Sequence, residues 1–183
     1  SSAAAITDDG NDDTAAAADK LQITAQGAVS VDTSVNRLTL TTGLAGNIDV
    51  DEADAIVLTS IASQDGSITV NAGGTITATS LDSTTTDNGT NDINLTTTDG
   101  SIAVESINAG GQNDVFLNSA AAITEDGASS TVLQADLLTI TAAGPITLDT
   151  QVTSTEINTT AAGAIDLDET DAITLTTITT ANG

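Results

Sequence analysis

Eight carboxylates are the side chains of this chain most suited to chemistry. Asp49, Asp51, Glu52 and Asp54 lie in "GNIDVDEADAIVLTSI" (residues 46–61). Asp166, Asp168, Glu169 and Asp171 hold the same places in "GAIDLDETDAITLTTI" (residues 163–178), 117 positions later. Clustered carboxylate oxygens suit a hard cation such as Ca²⁺, and paired carboxylates can act as acid and base in glycoside cleavage. Asp49 and Asp51 flank Val50, so strand alternation sets them on one outward face, with Glu52 and Asp54 following at a corner. That arrangement makes the eight acids the candidate metal ligands, with calcium the candidate ion. The competing reading is a solvated acidic face. Neither the EF-hand spacing nor the glycine-rich nonapeptide of calcium-binding β-rolls is present. "DDGNDD" (residues 8–13) is a weaker candidate, because its counterpart "EDGASS" loses most of the acids.

Catalysis demands more than carboxylates. The 183 residues contain no His, Cys, Trp, Tyr or Met, one Phe, and only Lys20 and Arg37 as cations. Without His the commonest acid/base group near neutral pH is missing, and without Cys there are no disulfides or thiolate metal sites. No set of basic and aromatic residues accompanies the acids to grip a sugar. The chain therefore reads as a non-enzyme that requires no cofactor. Its 26 acidic residues give a net charge of −24, so cations are expected partners and nucleic acid is not. No apolar run reaches the length of a membrane span, so membrane insertion is not expected. The chain does not begin with Met and reads as a mature or excised segment.

The elements that must position these acids repeat at two scales. Residues 1–66 align without a gap on residues 118–183, and about half of the pairs are identical. The chain thus divides into a long repeat, 1–117, and a partial second copy, 118–183, of one continuous segment, 1–183. Inside the long unit recurs the phrase glycine, any residue, aliphatic, any residue, aliphatic or Ala: "GAVSVD", "GNIDVD", "GSITVN", "GTITAT", "GSIAVE", "GPITLD" and "GAIDLD". Companion phrases such as "LQIT", "AIVLT", "DINLT" and "AITLT" alternate in the same way. Period-two alternation places Ile, Val and Leu on one face and Thr, Asp and Asn on the other.

Two short strands with tight corners cannot bury an apolar face alone, but stacked coils can. The expected fold is all-β: a parallel β-helix, or β-solenoid, of about nine coils, with six coils in each long repeat. A β-sandwich is the rival, and it explains the ungapped repeat less well. The inward residues should be Ile48, Val50, Ile56, Leu58, Ile68, Val70, Ile93, Leu95, Ile102, Val104, Val115, Leu117, Leu138, Ile140, Ile146, Leu148, Ile165, Leu167, Ile173 and Leu175. Residues 12–22, the one helix-compatible stretch, and residues 81–92 are expected to be long corner loops. Outward Thr pairs, Thr75 with Thr77 and Thr139 with Thr141 among them, could form ice-binding ladders, but other residues interrupt them. Asn88, Asn94 and Asn158 begin sequons that a Thr-rich chain produces cheaply.

Rungs such as "LTITAAGPITLDT" and "DINLTTTDGSIAVESINAGG" resemble the repeats of large secreted bacterial adhesins of the filamentous haemagglutinin type. The resemblance implies a right-handed parallel β-helix and an elongated, extracellular or cell-surface protein without enzymatic activity, serving as a segment of a surface fibre, adhesin stalk or extracellular filament. The runner-up function is a calcium-dependent adhesive or matrix module, and an ice-binding or polysaccharide-acting β-helix is more remote. A coil stack leaves an open core and unpaired backbone at each end. Copies of the chain, or flanking repeats, stacked end to end are the expected partners.

Overall fold

A computed structural model describes residues 5–8, 16–125 and 133–181. Every strand pairing among them is parallel, and all strands join one sheet that winds into a β-solenoid. Among the described residues helix is confined to a single 3-10 turn at Thr84–Thr86.

The register resolves each coil into three sides. On side one, Ile6, Val29, Ile48, Ile68, Ile93, Val115, Leu138 and Thr155 stack in one column. Side two stacks Ile56, Ile76, Ile102, Ile123, Ile146 and Ile165. Side three stacks Leu40, Ile61, Leu81, Ile107, Leu133, Thr150 and Glu169. Successive coils on side one are between 17 residues (Leu138 to Thr155) and 25 residues (Ile68 to Ile93) apart. Eight coils are complete and Thr174–Thr180 begins a ninth, close to the nine expected.

Aliphatic columns fill the interior because β-branched and Leu side chains recur at every second position and meet their equivalents about 4.8 Å above and below. Of the residues expected inside, those from Ile48 to Leu148 are buried. Ile165, Leu167 and Ile173 are only partly buried against the core, and Leu175 is 57% exposed. The alternation is right at these four positions; what differs is the absence of a coil above them within the described residues.

Corners explain the glycines that open the repeated phrase. A Cβ on Gly46 would stand 2.3 Å from the Ala28 nitrogen, and one on Gly163 would stand 2.6 Å from the Gly144 carbonyl carbon. Backbone stacks on backbone there, leaving no room for a side chain. Polar side chains stitch the same region from coil to coil: Ser67 N donates to Asn47 Oδ1 (3.1 Å), Asp114 N to Asp92 Oδ1 (3.0 Å) and Leu137 N to Asp114 Oδ1 (3.2 Å). Inside, the buried Asn113 accepts from Asn91 N (3.1 Å) and donates to the Ala109 carbonyl (2.7 Å).

Two expectations about loops have different outcomes. The corner expected over residues 81–92 is shorter, because Leu81–Asp82 is a strand paired with Ile61–Ala62 and Ile107–Asn108; residues 83–92 form the polar corner, pinned where Asp87 accepts from Gly111 N (3.1 Å) and Gln112 N (3.0 Å). The stretch 12–22 does not remain a loop throughout, because Ala16–Ala25 is a strand paired with Val29–Thr42. Its first residues, Ala16 to Lys20, lie mostly exposed, and inward alternation sets in from Leu21 through Ile23 to Ala25. Residues 12–15 lie outside the described residues, as do residues 9–13 of the "DDGNDD" motif.

The long repeat is not a whole number of coils. Val29 belongs to side one, yet its counterpart Ile146 belongs to side two, five coils later. Leu38 pairs with Leu58, which opens toward side two, whereas its counterpart Thr155 stands on side one. The six coils expected per repeat are therefore five and a part, and the two kinds of strand exchange sides between the copies.

Candidate carboxylate site

Ile48–Glu52 holds the first set of acids on side one, above Val29–Thr42 and below Ile68–Ala72. Alternation points Ile48 and Val50 inward and leaves Asp49 and Asp51 exposed, as expected. Asp51 stacks directly between Asp32 and Asn71, and Asn71 Nδ2 donates to Asp51 Oδ1 at 2.9 Å. Burial pushes the Asp49 carboxyl above its ordinary value, and the charge of Asp51 two residues away pushes it further. A groove of about 320 Å³ runs along this corner, lined by Asp32, Thr33, Asp51, Glu52 and Asn71 among others.

Glu52 is not part of the outward set. It continues the inward series Ile48, Val50, Glu52 and is 4% exposed. Its carboxylate reaches across the corner to the preceding coil. Thr33 Oγ1 donates to Oε2 at 2.7 Å, and Val35 N donates to Oε1 and Oε2 at 3.1 and 3.0 Å. Asp54 N approaches Oε1 at 3.4 Å. This is a carboxylate clamp: Val35 lies within the strand Val29–Thr42 and pairs with Ala18 on one side, and Glu52 satisfies its backbone donor on the other side, where the next coil turns a corner at residues 53–55. Burial is the largest influence on Glu52 and raises its pKa, while the bonds from Thr33 and Val35 oppose the rise.

Glu169 makes the same clamp in the second copy. Thr150 Oγ1 donates to Oε2 at 2.9 Å and Val152 N to Oε1 and Oε2 at 3.3 and 3.2 Å, with Thr170 N at 3.1 Å from Oε1. Asp166 and Asp168 are exposed. Asp166 stacks on Thr147 and Asp168 on Asp149. Asp54 and Asp171 are exposed at their corners. The fold thus brings Asp32 beside Asp51 and Asp149 beside Asp168, but it turns Glu52 and Glu169 inward, off the outward face that carries Asp49, Asp51, Asp166 and Asp168, and leaves Asp54 beside Glu52 at the corner. Among the described residues, no three acidic side chains converge in a geometry that could hold a metal ion.

The clamp is the feature that reading for chemistry passes over. Its signal is present in the sequence: Thr33, Val35 and Glu52 recur as Thr150, Val152 and Glu169 with both intervals kept, and alternation from Ile48 already places Glu52 inside.

Comparison with known protein families, with curated proteins and with solved structures finds no match to this chain. The architecture and the site geometry therefore define the class: a parallel β-solenoid of short coils with an acidic surface. No helix among the described residues is long and apolar enough to cross a membrane.

Proposed function

We propose that this chain is a non-enzymatic structural segment of a secreted surface fibre, adhesin stalk or extracellular filament, of the kind built by adhesins of the filamentous haemagglutinin type. The observation that supports the reading is the edge formed by Thr174–Thr180. Leu175 and Ile178 are 57% and 46% exposed, whereas their first-copy counterparts Leu58 and Ile61 are 0% and 1% exposed beneath Ala78 and Leu81. The first copy shows that a further coil of the same kind seals these apolar side chains, so coils of this kind can stack into a longer rod. Eight coils at roughly 4.8 Å each span about 40 Å. Electron microscopy of the native material should show rods or fibres several times that length, and uniformly short, compact particles would overturn the fibre reading.

A second reading, a calcium-dependent adhesive or matrix module, draws on the stacked outward pairs Asp32 with Asp51 and Asp149 with Asp168. Thermal melts in calcium and magnesium at equal ionic strength separate it from general screening. A gain from calcium far above that from magnesium supports a bound ion; equal gains leave the aspartates as a surface that collects counterions.

A further inference from the structure

Side two bears a column of outward residues whose charge changes sign from one end to the other. Lys20 stacks on Arg37, and the column continues through Val57, Thr77, Ala103, Thr124 and Thr147 to Asp166. Both cations of the chain therefore sit one above the other at one end, and an aspartate closes the other. Lys20, Arg37 and Asp166 are exposed. The five residues between them are uncharged and short. The positions two residues before them, from Ala55 through Thr75, Ser101 and Ala122 to Pro145, are uncharged as well. Two residues after the column the surface turns acidic again, at Glu105, Asp149 and Asp168, so on a chain of net charge −24 the uncharged part is a narrow strip bordered on one side by carboxylates.

From these observations we infer that side two is a self-complementary docking surface for a second copy of this chain, laid antiparallel about a two-fold axis. The axis falls between Thr77 and Ala103, the midpoint of the eight positions. Thr77 then faces the second copy's Ala103 and Val57 faces its Thr124. At the ends, Lys20 meets the opposing Asp166, and Arg37 lies opposite Thr147 within reach of the same aspartate. An isologous pairing of this kind brings each charged end onto its opposite twice. A shallow groove of about 430 Å³ beside Arg37, Ala55, Val57, Thr75 and Thr77 gives the opposing threonines a place to seat; Asp19, which accepts from Asn36 Nδ2 at 3.0 Å, lines its end. The column is about 34 Å tall at roughly 4.8 Å per coil and about 13 Å wide across two residue pairs, or roughly 450 Å² per copy. Stable complexes cover roughly 800 Å² per partner, so the pairing is a weak, concentration-dependent dimer. It is lateral, and so is independent of end-to-end stacking at Thr174–Thr180.

Sedimentation equilibrium of the 183-residue chain in about 0.15 M salt, where the Debye length of roughly 8 Å leaves contact pairs intact, tests the inference. A Leu175→Glu background closes the apolar edge, and mass should still double with rising concentration. Lys20→Glu with Arg37→Glu should weaken the dimer about tenfold or more. Adding Asp166→Lys and Asp168→Lys to that variant restores the original net charge with the ends exchanged, and should recover the dimer. Ala103→Glu, beside the axis, should weaken it without touching either end. A monomer at every concentration, a dimer indifferent to the reversed cations, or a fourfold variant no better than the double one would overturn the proposal. Circular dichroism on each variant shows that the coils are still folded.

Discussion

Residues 46–61 and 163–178 are nearly the same sentence written twice, and the structure treats them differently. The first begins on side one and passes to sides two and three, with coils above and below it; Leu58 and Ile61 are sealed and Glu52 is 4% exposed. The second begins on side two, and its later part forms the edge, where Leu175 and Ile178 are half exposed. The clamp survives in both, slightly longer in the second: Thr33 to Glu52 is 2.7 Å and Thr150 to Glu169 is 2.9 Å. In a solenoid, then, local sequence dictates strand, corner and inward register, while the neighbouring coil decides what each inward side chain is worth.

The sharpest way to break the comparison is to delete the same side chain in each copy. Leu58→Ala empties a sealed site and should cost about 3 kcal/mol, within the usual 2–5 for buried Leu. Leu175→Ala should cost below about 1 kcal/mol in urea denaturation of the dilute chain. Equal losses would mean that the second edge is covered in solution. The clamps come next. Glu52→Ala strands a buried backbone donor at Val35 and should cost about 2 kcal/mol, with Glu169→Ala about half that, since Glu169 is only half-buried and its removal opens Val152 to water. Glu52→Gln keeps one acceptor and should fall between wild type and Glu52→Ala; a Gln variant as unstable as Ala would argue against the hydrogen-bonded role.

Titration sharpens the contrast further. Asp49, Glu52 and Asp114 all have carboxyl pKa values raised above the ordinary 3.8, 4.5 and 3.8, chiefly by burial. A raised carboxyl pKa means that the folded state holds its proton more tightly than the unfolded chain. Stability therefore falls as pH rises from the ordinary values through the raised ones, and it is recovered on acidification. The melting temperature should climb as pH drops from 7 toward about 4.5, opposite to the usual loss from carboxylates that are salt-bridged when folded. A melting temperature that falls over this range would contradict the assignment. The smallest effect is expected from Asp49→Asn, which removes a like charge beside Asp51 and should stabilise by a few tenths of a kcal/mol at pH 7. The same melts compared at pH 7 and pH 4.5 check it, because the gain should shrink in acid.

Much of the fold was legible because period-two alternation is a strong signal and the chain repeats it many times. Ile48 with Val50, Ile102 with Val104 and Ile146 with Leu148 all point inward as their spacing demands. The inward turn of Glu52 obeys the same rule, yet a carboxylate inside a strand invites a chemical reading before a structural one. Leu175 could not be placed from its own sequence, since its exposure depends on a neighbour rather than on alternation. The strand at Ala16–Ala25 was hidden by alanines, which favour helix in isolation but are overruled by pairing with Val29–Thr42. The three sides were hidden as well, because the glycine phrase and its companion look like fixed faces of a coil.

Their exchange of sides between copies has a consequence for how such a molecule grows. A duplication of 117 residues delivers five coils and a fraction, so every phrase in the new copy lands on a wall that its parent did not occupy. The stack tolerates this, because Ile146 sits on side two as comfortably as Val29 sits on side one. The interchangeable part is accordingly the single strand with its corner, as a brick is in a round tower whose courses spiral. Lengthening by any whole number of strands keeps the wall sound, and each addition that is not a full course turns the decoration of the tower toward a new direction.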